Sequence, residues 1–333
     1  MKKLIFACFI LFCASSFAQD KLLTKKIIYT ISVTDNTVKS NSKSDSIVYE
    51  YKVNRRFWWE AMDMLLNDVK GKKLALHSQR GDTIVWDTMI NNLCKKMKLA
   101  YGKDLKKKEI QEILDNEIRK IQFEEEWTYN PQTMLINKKV IAYCPIICRD
   151  SIALVDDELK TQECFNFPIG WIYPSNATSS DTTLICRDIR YTMPIYNYQP
   201  YRWWDSNLEA EYSIPYFDSF IAKAEDGVIS VFEDPDLVDA LSRSDVVKRR
   251  EYTRTETVVQ SLAENNVAES DTTIKLKYNS DNIEYLRFGE EIYFDKTNHN
   301  FIKNTNYIAP IIRMFSTNGS FIGFYPIYYI RRR

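Results

Sequence analysis

The sequence predicts an α+β protein made of two copies of one unit, helix–strand–helix–β-hairpin–strand, with antiparallel sheets. Three observations lead there. A strand phrase is written twice, Phe123-Glu124-Glu125-Glu126-Trp127-Thr128-Tyr129-Asn130 and Phe288-Gly289-Glu290-Glu291-Ile292-Tyr293-Phe294-Asp295. A proline in an apolar setting follows each, in Tyr143-Cys144-Pro145-Ile146-Ile147 and Ile308-Ala309-Pro310-Ile311-Ile312, and both matches keep one offset of 165 residues. Each copy closes on an aromatic phrase, Pro168-Ile169-Gly170-Trp171-Ile172-Tyr173 and Pro326-Ile327-Tyr328-Tyr329-Ile330. Self-similarity at a fixed period marks an internal duplication.

Residues 1–18 have the form of a secretory signal peptide. Lys2 and Lys3 precede an apolar run from Leu4 to Cys13, and Ser16-Phe17-Ala18 supplies small residues for cleavage after Ala18. Residues 19–46 form an N-terminal arm, with a strand-like run from Lys26 to Ile31 and a polar, mobile stretch from Asn36 to Ser46.

The first repeat spans 47–174. Met62, Leu65, Leu66 and Val69 lie at helical spacing over Arg55 to Val69, and Gly71 stops that helix. Short strands Leu74–Leu76 and Thr83–Trp86 flank the turn Arg80-Gly81-Asp82. A second helix starts near Asp87, and a third carries Ile110, Ile113, Leu114 and Ile118 on one face. The hairpin Ile121–Tyr129 with Leu135–Ile147 turns at Asn130-Pro131-Gln132-Thr133, because proline fixes φ and asparagine tolerates turn geometry. Glu124 and Glu126 alternate with Glu125 and Trp127, which predicts one wet strand face and one at least partly buried face.

A polar linker, 175–200, leads to the second repeat, 201–333. Phe217, Phe220, Ile221 and Ala224 form its helical stripe, ending near Gly227. Equating Gly71 with Gly227 sets Met64 against Phe220 and Leu65 against Ile221. A strand Val228–Phe232, a helical stretch from Asp236 and an acidic loop Glu264–Thr273 follow. The last hairpin, Tyr285–Ile312, turns at Asp295-Lys296-Thr297-Asn298, and Asn318-Gly319 signals one more hairpin turn.

Charge and composition narrow the function classes. Loss of Lys2 and Lys3 with the leader leaves 43 basic against 45 acidic residues, so no basic field argues for nucleic acid. No run beyond the leader is long and apolar enough to span a bilayer. The mature cysteines are Cys94, Cys144, Cys148, Cys164 and Cys186, an odd set in a compartment that permits disulfides. Cys144 and Cys148 stand equally well as a disulfide or as buried free thiols.

His77 and His299, in non-matching places, belong to no metal or nucleophile pattern and read as surface residues. The triplet Glu124-Glu125-Glu126 offers carboxylates, but neighbours on a strand point to opposite faces and cannot converge on one bond. No catalytic, cofactor-binding or metal-ligating set emerges, and no cofactor is expected. The candidate protein-interface residues are Arg56, Trp58 and Trp59 in the first half and Arg202, Trp203 and Trp204 in the second. Tryptophan beside arginine is enriched at interface hot spots, while packing of one indole of each pair in the core is the equal alternative.

Ordered motifs in the second half resemble the GldN/PorN family of gliding-motility and type IX secretion proteins. Trp203-Trp204-Asp205-Ser206-Asn207-Leu208 is similar to that family's W-x-[DE]-x-[DN]-L opening, and Phe220 to Val231 to its helix–glycine–strand segment. Phe288 to Asp295 stands where the family has a K-E-D-W-F-F-D-like strand, and Ile308-Ala309-Pro310 fits its I-A-P. Asn318-Gly319-Ser320-Phe321-Ile322-Gly323-Phe324-Tyr325-Pro326-Ile327-Tyr328-Tyr329-Ile330 resembles its closing N-G-x-F-x-G-[YF]-x-P-L-[FY]-W-I phrase. In the first half, Glu124 to Asn130 and Trp171-Ile172-Tyr173-Pro174 look like the same pieces. Gly289 and Ile292 depart from charged and tryptophan positions, and Tyr328-Tyr329 from an aromatic–tryptophan pair, as in a divergent member.

The resemblance implies a non-enzymatic, periplasmic ring component, held at the outer membrane by a PorK/GldK-like lipoprotein and engaged by the periplasmic part of a PorM/GldM-like motor protein. Self-association or co-assembly in the ring is implied, with no direct membrane span. A ring needs head-to-tail contacts that close, and two unlike halves per chain offer two faces for them. The competing class is a periplasmic or secreted ligand-binding protein or enzyme with its site between the halves.

Overall fold

The computed structural model describes residues 19–33, 55–102, 104–155, 158–175, 177, 179–195, 208, 210–236, 238–261 and 267–332, with backbone alone at 55, 150–155, 158–164, 210, 256–261 and 267–270. The signal peptide, the polar stretch 36–46 and the segment holding Arg202, Trp203 and Trp204 lie outside the described residues. Among the described residues, no helix is long and apolar enough to cross a membrane.

The fold is α+β, with two four-stranded antiparallel runs whose topology repeats. In the first sheet β1 (Lys21–Ser32), β4 (Ile118–Tyr129), β5 (Ile136–Val155) and β6 (Glu158–Pro168) lie in that order. In the second, β7 (Thr182–Pro194), β10 (Ile283–Asp295), β11 (Asn300–Phe315) and β12 (Phe321–Pro326) follow the same plan, and β13 (Ile330–Arg331) also pairs with β11. Each repeat therefore opens with a strand. The first of these extends the Lys26–Ile31 run to Lys21–Ser32 within the stretch read as an arm. The second lies inside the stretch 175–200 read as a linker, where polar residues alternate with Leu184, Cys186, Ile189, Tyr191 and Met193. That alternation suits a strand with one covered face.

Helix α1 (Arg55–Lys70) is followed by the small hairpin β2 (Leu76–His77) and β3 (Thr83–Ile84), then by α2 (Trp86–Tyr101) and α3 (Lys107–Asn116). Glu109 reaches back to the backbone N–H of Lys106 at 2.8 Å and starts α3, and Gly102 ends α2 at φ 67°. The second repeat carries α4 (Ala210–Glu225) and α5 (Arg243–Arg250), the latter capped by Ser242 accepting from the Asp245 N–H. Two expectations give way in this half. Val228–Phe232 makes only one isolated bridge, Phe232 to Tyr329. The stretch Glu264–Thr273, expected to be an acidic loop, is largely β9 (Val267–Lys277), paired with β8 (Glu251–Ser261) in a two-stranded ribbon.

The helices fix the true correspondence of the halves. Lys70 and Glu225 end α1 and α4, and His77 and Phe232 make matching bridges to Trp171 and Tyr329, so the offset here is 155. The left-handed residue after α1 is Lys72 (φ 60°), not Gly71, and it matches Gly227 (φ 69°). The offset of 156 is thereby corrected: Met62, Leu65, Leu66 and Val69 match Phe217, Phe220, Ile221 and Ala224, all buried.

The halves are interlocked. Helix α1 of the first repeat packs on β7 of the second, and α4 of the second packs on β1 of the first. The helix–turn contacts cross in the same way. Asp68 on α1 meets His299 in the second hairpin turn at 2.7 Å, and Lys223 on α4 donates to the Pro131 carbonyl in the first turn. Tyr143 donates to the His299 carbonyl and Tyr216 to the Met134 carbonyl, and both acceptors sit in left-handed conformation. The inner faces of the sheets meet in one aromatic core, with Trp127 edge-on to Phe288, Phe123 edge-on to Phe301 and Tyr29 stacked on Tyr191.

Sequence departures between the copies are explained by this packing. Glu124 faces Ala142 across the first hairpin, whereas the matching pair in the second is Gly289 and Tyr307. A Cβ on Gly289 would lie 2.1 Å from the Tyr307 ring. The large and small members of the pair have exchanged strands, so Gly289 is needed for close approach rather than for turn geometry.

Candidate functional site

At the centre of the inter-sheet junction, four charges are crossed between the copies. Glu125 and Lys138 belong to the first hairpin and Glu290 and Lys303 to the second, each pair related by the offset of 165. Lys138 Nζ lies 2.6 Å from Glu290 Oε1, and Lys303 Nζ lies 2.8 Å from Glu125 Oε1; all four side chains have zero exposure. Strand alternation puts each of them on the covered face, opposite the wet face of Glu124 and Glu126.

Tyrosines complete the cluster. Tyr29 donates to Glu125 Oε2 at 2.6 Å and accepts from Lys303 at 2.7 Å. Tyr191 donates to Glu290 Oε2 at 2.8 Å and accepts from Lys138 at 2.6 Å. Their hydroxyls stand 3.2 Å apart. Trp127 Nε1 also donates to Glu125 Oε2, at 2.7 Å. The Lys138 ammonium lies 3.3 Å from the Phe288 ring centroid and the Lys303 ammonium 3.5 Å from that of Phe123. Each cation is thus held by a carboxylate and a hydroxyl and faced by an aromatic ring, which offsets its loss of water.

Protonation follows from this enclosure. Burial would push the Glu125 carboxyl up, but Lys303 and Lys138 outweigh that and hold it below its ordinary range. Burial lowers Lys138 to about 8, with Glu290 and Glu125 opposing the fall. Burial and the neighbouring carboxylates keep Tyr29 and Tyr191 protonated well above their usual range. Acids and bases are paired off and sealed from solvent, so this cluster ties the halves together and presents no reactive group to a substrate. Among the described residues, the junction around this cluster is filled with buried side chains.

The remaining candidates lie elsewhere. Trp58 is 3% exposed, donates its indole N–H to the Ile118 carbonyl at 3.0 Å and packs on Phe301, so it belongs to the core. Its counterpart by helix position is Ser213, not a tryptophan. Trp59 is half-buried against the core, and Arg56 is exposed, paired with Glu60 at 2.8 Å. His77 and His299, expected on the surface, are half-buried, the latter tied to Asp68. Cys94, Cys144 and Cys186 form no disulfide, whereas Cys148 is disulfide-bonded, so Cys144 and Cys148 do not bond each other. Burial pushes the Cys144 thiol up to about 12, which removes it as a nucleophile at neutral pH. Among the described residues, no group of three or more His, Cys, Asp or Glu side chains converges as a metal site.

The exposed apolar surface that sequence reading passed over is the β11–β12 corner. Phe315, Phe321, Ile322 and Tyr325 are all more than a third exposed, and the Arg313 guanidinium lies 5.7 Å from the Phe321 and Phe324 rings. Strand β12 is the edge of its sheet. Aromatic rings with an arginine on a sheet edge have the composition of an interface core. Its signal in the sequence was the aromatic run after Asn318-Gly319. Comparison with protein-family models, with curated proteins and with solved structures finds no match.

Proposed function

We propose that this chain is a non-enzymatic, structural component of the periplasmic ring of the type IX secretion and gliding machinery, joining a PorK/GldK-like outer-membrane lipoprotein to a PorM/GldM-like motor domain. The observation that carries the reading is the use made of the motif-bearing segments. The repeated phrases form the paired strands that lock the halves together, and the closing phrase, Phe321 to Ile330, leaves Phe321, Ile322 and Tyr325 open on a sheet edge. A rigid two-part body with an unpaired aromatic edge suits a subunit that passes force between neighbours. Arg56 and Trp59 offer a second contact surface on the first half, and heterologous ring contacts require two unlike faces.

The reading is tested by deleting the gene and following type IX cargo. Cargo should accumulate inside the cell and return to the medium when the gene is supplied again. Normal cargo secretion by the deletion strain defeats the proposal.

A further inference from the structure

The outer face of the first sheet, turned away from the junction, carries a cavity of about 780 Å³ between the strands and α2. Ligand pockets run from roughly 300 to 1,000 Å³. One wall is apolar, built by Met89 and Leu93 on α2 with Ile146 and Trp171 opposite. The strands add a polar floor. Gln122 is 7% exposed and lines that floor. Thr30 Oγ1, on the residue paired with it across the sheet, is buried and has no hydrogen-bond partner among the described residues. Buried polar groups without partners are uncommon, and one on a cavity floor calls for a ligand group to meet it.

Charge sets the sign of that ligand. Lys96 stands on the α2 side with no ion pair among the described residues, and Lys120 on the sheet side donates to Asn166 at 2.9 Å. No aspartate or glutamate is among the described residues lining the cavity. This site was not legible in the sequence, because its residues come from the four strands of the first sheet, the small hairpin and a helix, far apart in the chain.

We propose that this cavity binds a small organic carboxylate with an apolar tail. The tail lies against Met89, Leu93, Ile146 and Trp171, and the carboxylate accepts from the Gln122 amide and the flanking lysine ammonium groups. The site lies wholly within the first half and stands independently of the ring assignment.

Titration of the intact mature protein with the fluorescent fatty acid dansylaminoundecanoate tests this. Saturable, blue-shifted emission is expected, displaced by dodecanoate and not by dodecylamine, whose cationic head the lysines repel. Lys96→Glu changes only an exposed side chain and should weaken binding about tenfold or more, the scale of one lost charge-assisted contact. Asn92→Trp, also at an exposed lining position, should block entry. Absence of saturable binding, equal displacement by dodecylamine, or unchanged affinity in either folded variant overturns the proposal.

Discussion

Lys303→Met is the perturbation that asks most of the crossed ion pairs. At 2.8 Å and an effective dielectric of about 20, the attraction between Lys303 and Glu125 is roughly 6 kcal/mol. Desolvating the two charges costs several kcal/mol for each ion, so the pair as a whole adds little net stability. Removing one partner is different. Glu125 keeps Tyr29 and Trp127 as donors, but Tyr29 loses Lys303 and the carboxylate is left buried beside a single remaining cation, Lys138. The expected loss is about 3–5 kcal/mol, the range for breaking one side of a buried pair.

Because the pair joins the two repeats, this loss also loosens one half from the other. Urea unfolding at neutral pH is the assay, and a slope of about 3 kcal/mol per molar gives a midpoint fall of roughly 1–1.7 M. Adding Glu125→Gln to Lys303→Met removes the stranded charge and should restore most of the loss. A single variant within about 1 kcal/mol of wild type, or a double variant no better than the single, would refute the idea that stranded charge dominates.

Gly289→Ala should destabilise by about 1–3 kcal/mol through overpacking against Tyr307, with Tyr307→Ala in the same chain relieving it in thermal melts. Acid should weaken the fold between about pH 4 and pH 2. Asp295, fully buried by surface area, accepts from Ser179, Thr297 and Asn298, and those hydrogen bonds hold it at about 2 against the opposing effect of burial. Its stabilisation is fully present above the unfolded value near 3.8 and is lost as pH falls through 2, so Asp295→Asn should flatten the acid limb of a stability–pH curve by about 2 kcal/mol. Phe321→Glu with Tyr325→Glu should leave the melting temperature within a few degrees of wild type yet abolish co-purification with ring partners, as expected for truncating exposed aromatic anchors.

The duplication was legible because its phrases keep offset and spacing, and the α+β class, the main helices and both long hairpins follow from it. Of the opening strands of the repeats, only the Lys26–Ile31 part of the first was legible. Lys21–Ser32 and Thr182–Pro194 gain their order from pairing with β4 and β10, 88 or more residues downstream, and polar residues on their open faces dilute the local pattern. The acidic stretch before Lys277 was misread for a similar reason, since a two-stranded ribbon needs no continuous apolar face. Periodicity placed Glu125 on a covered face but could not say that Lys303, 178 residues away, would meet it there. The lysines had a signal that was missed: Lys138 and Lys303 share the same offset as the glutamates. The tryptophan pair Trp58-Trp59 split as helical spacing requires, one ring inward and one half-exposed, which no dipeptide motif reveals.

The ring assignment is tested most directly by tagging the chain, extracting it gently in detergent, and examining the product by electron microscopy with identification of co-purifying chains. The account predicts a ring that contains this protein and a PorK/GldK-like lipoprotein. A monomer that captures no membrane partner even after crosslinking in intact cells would contradict it.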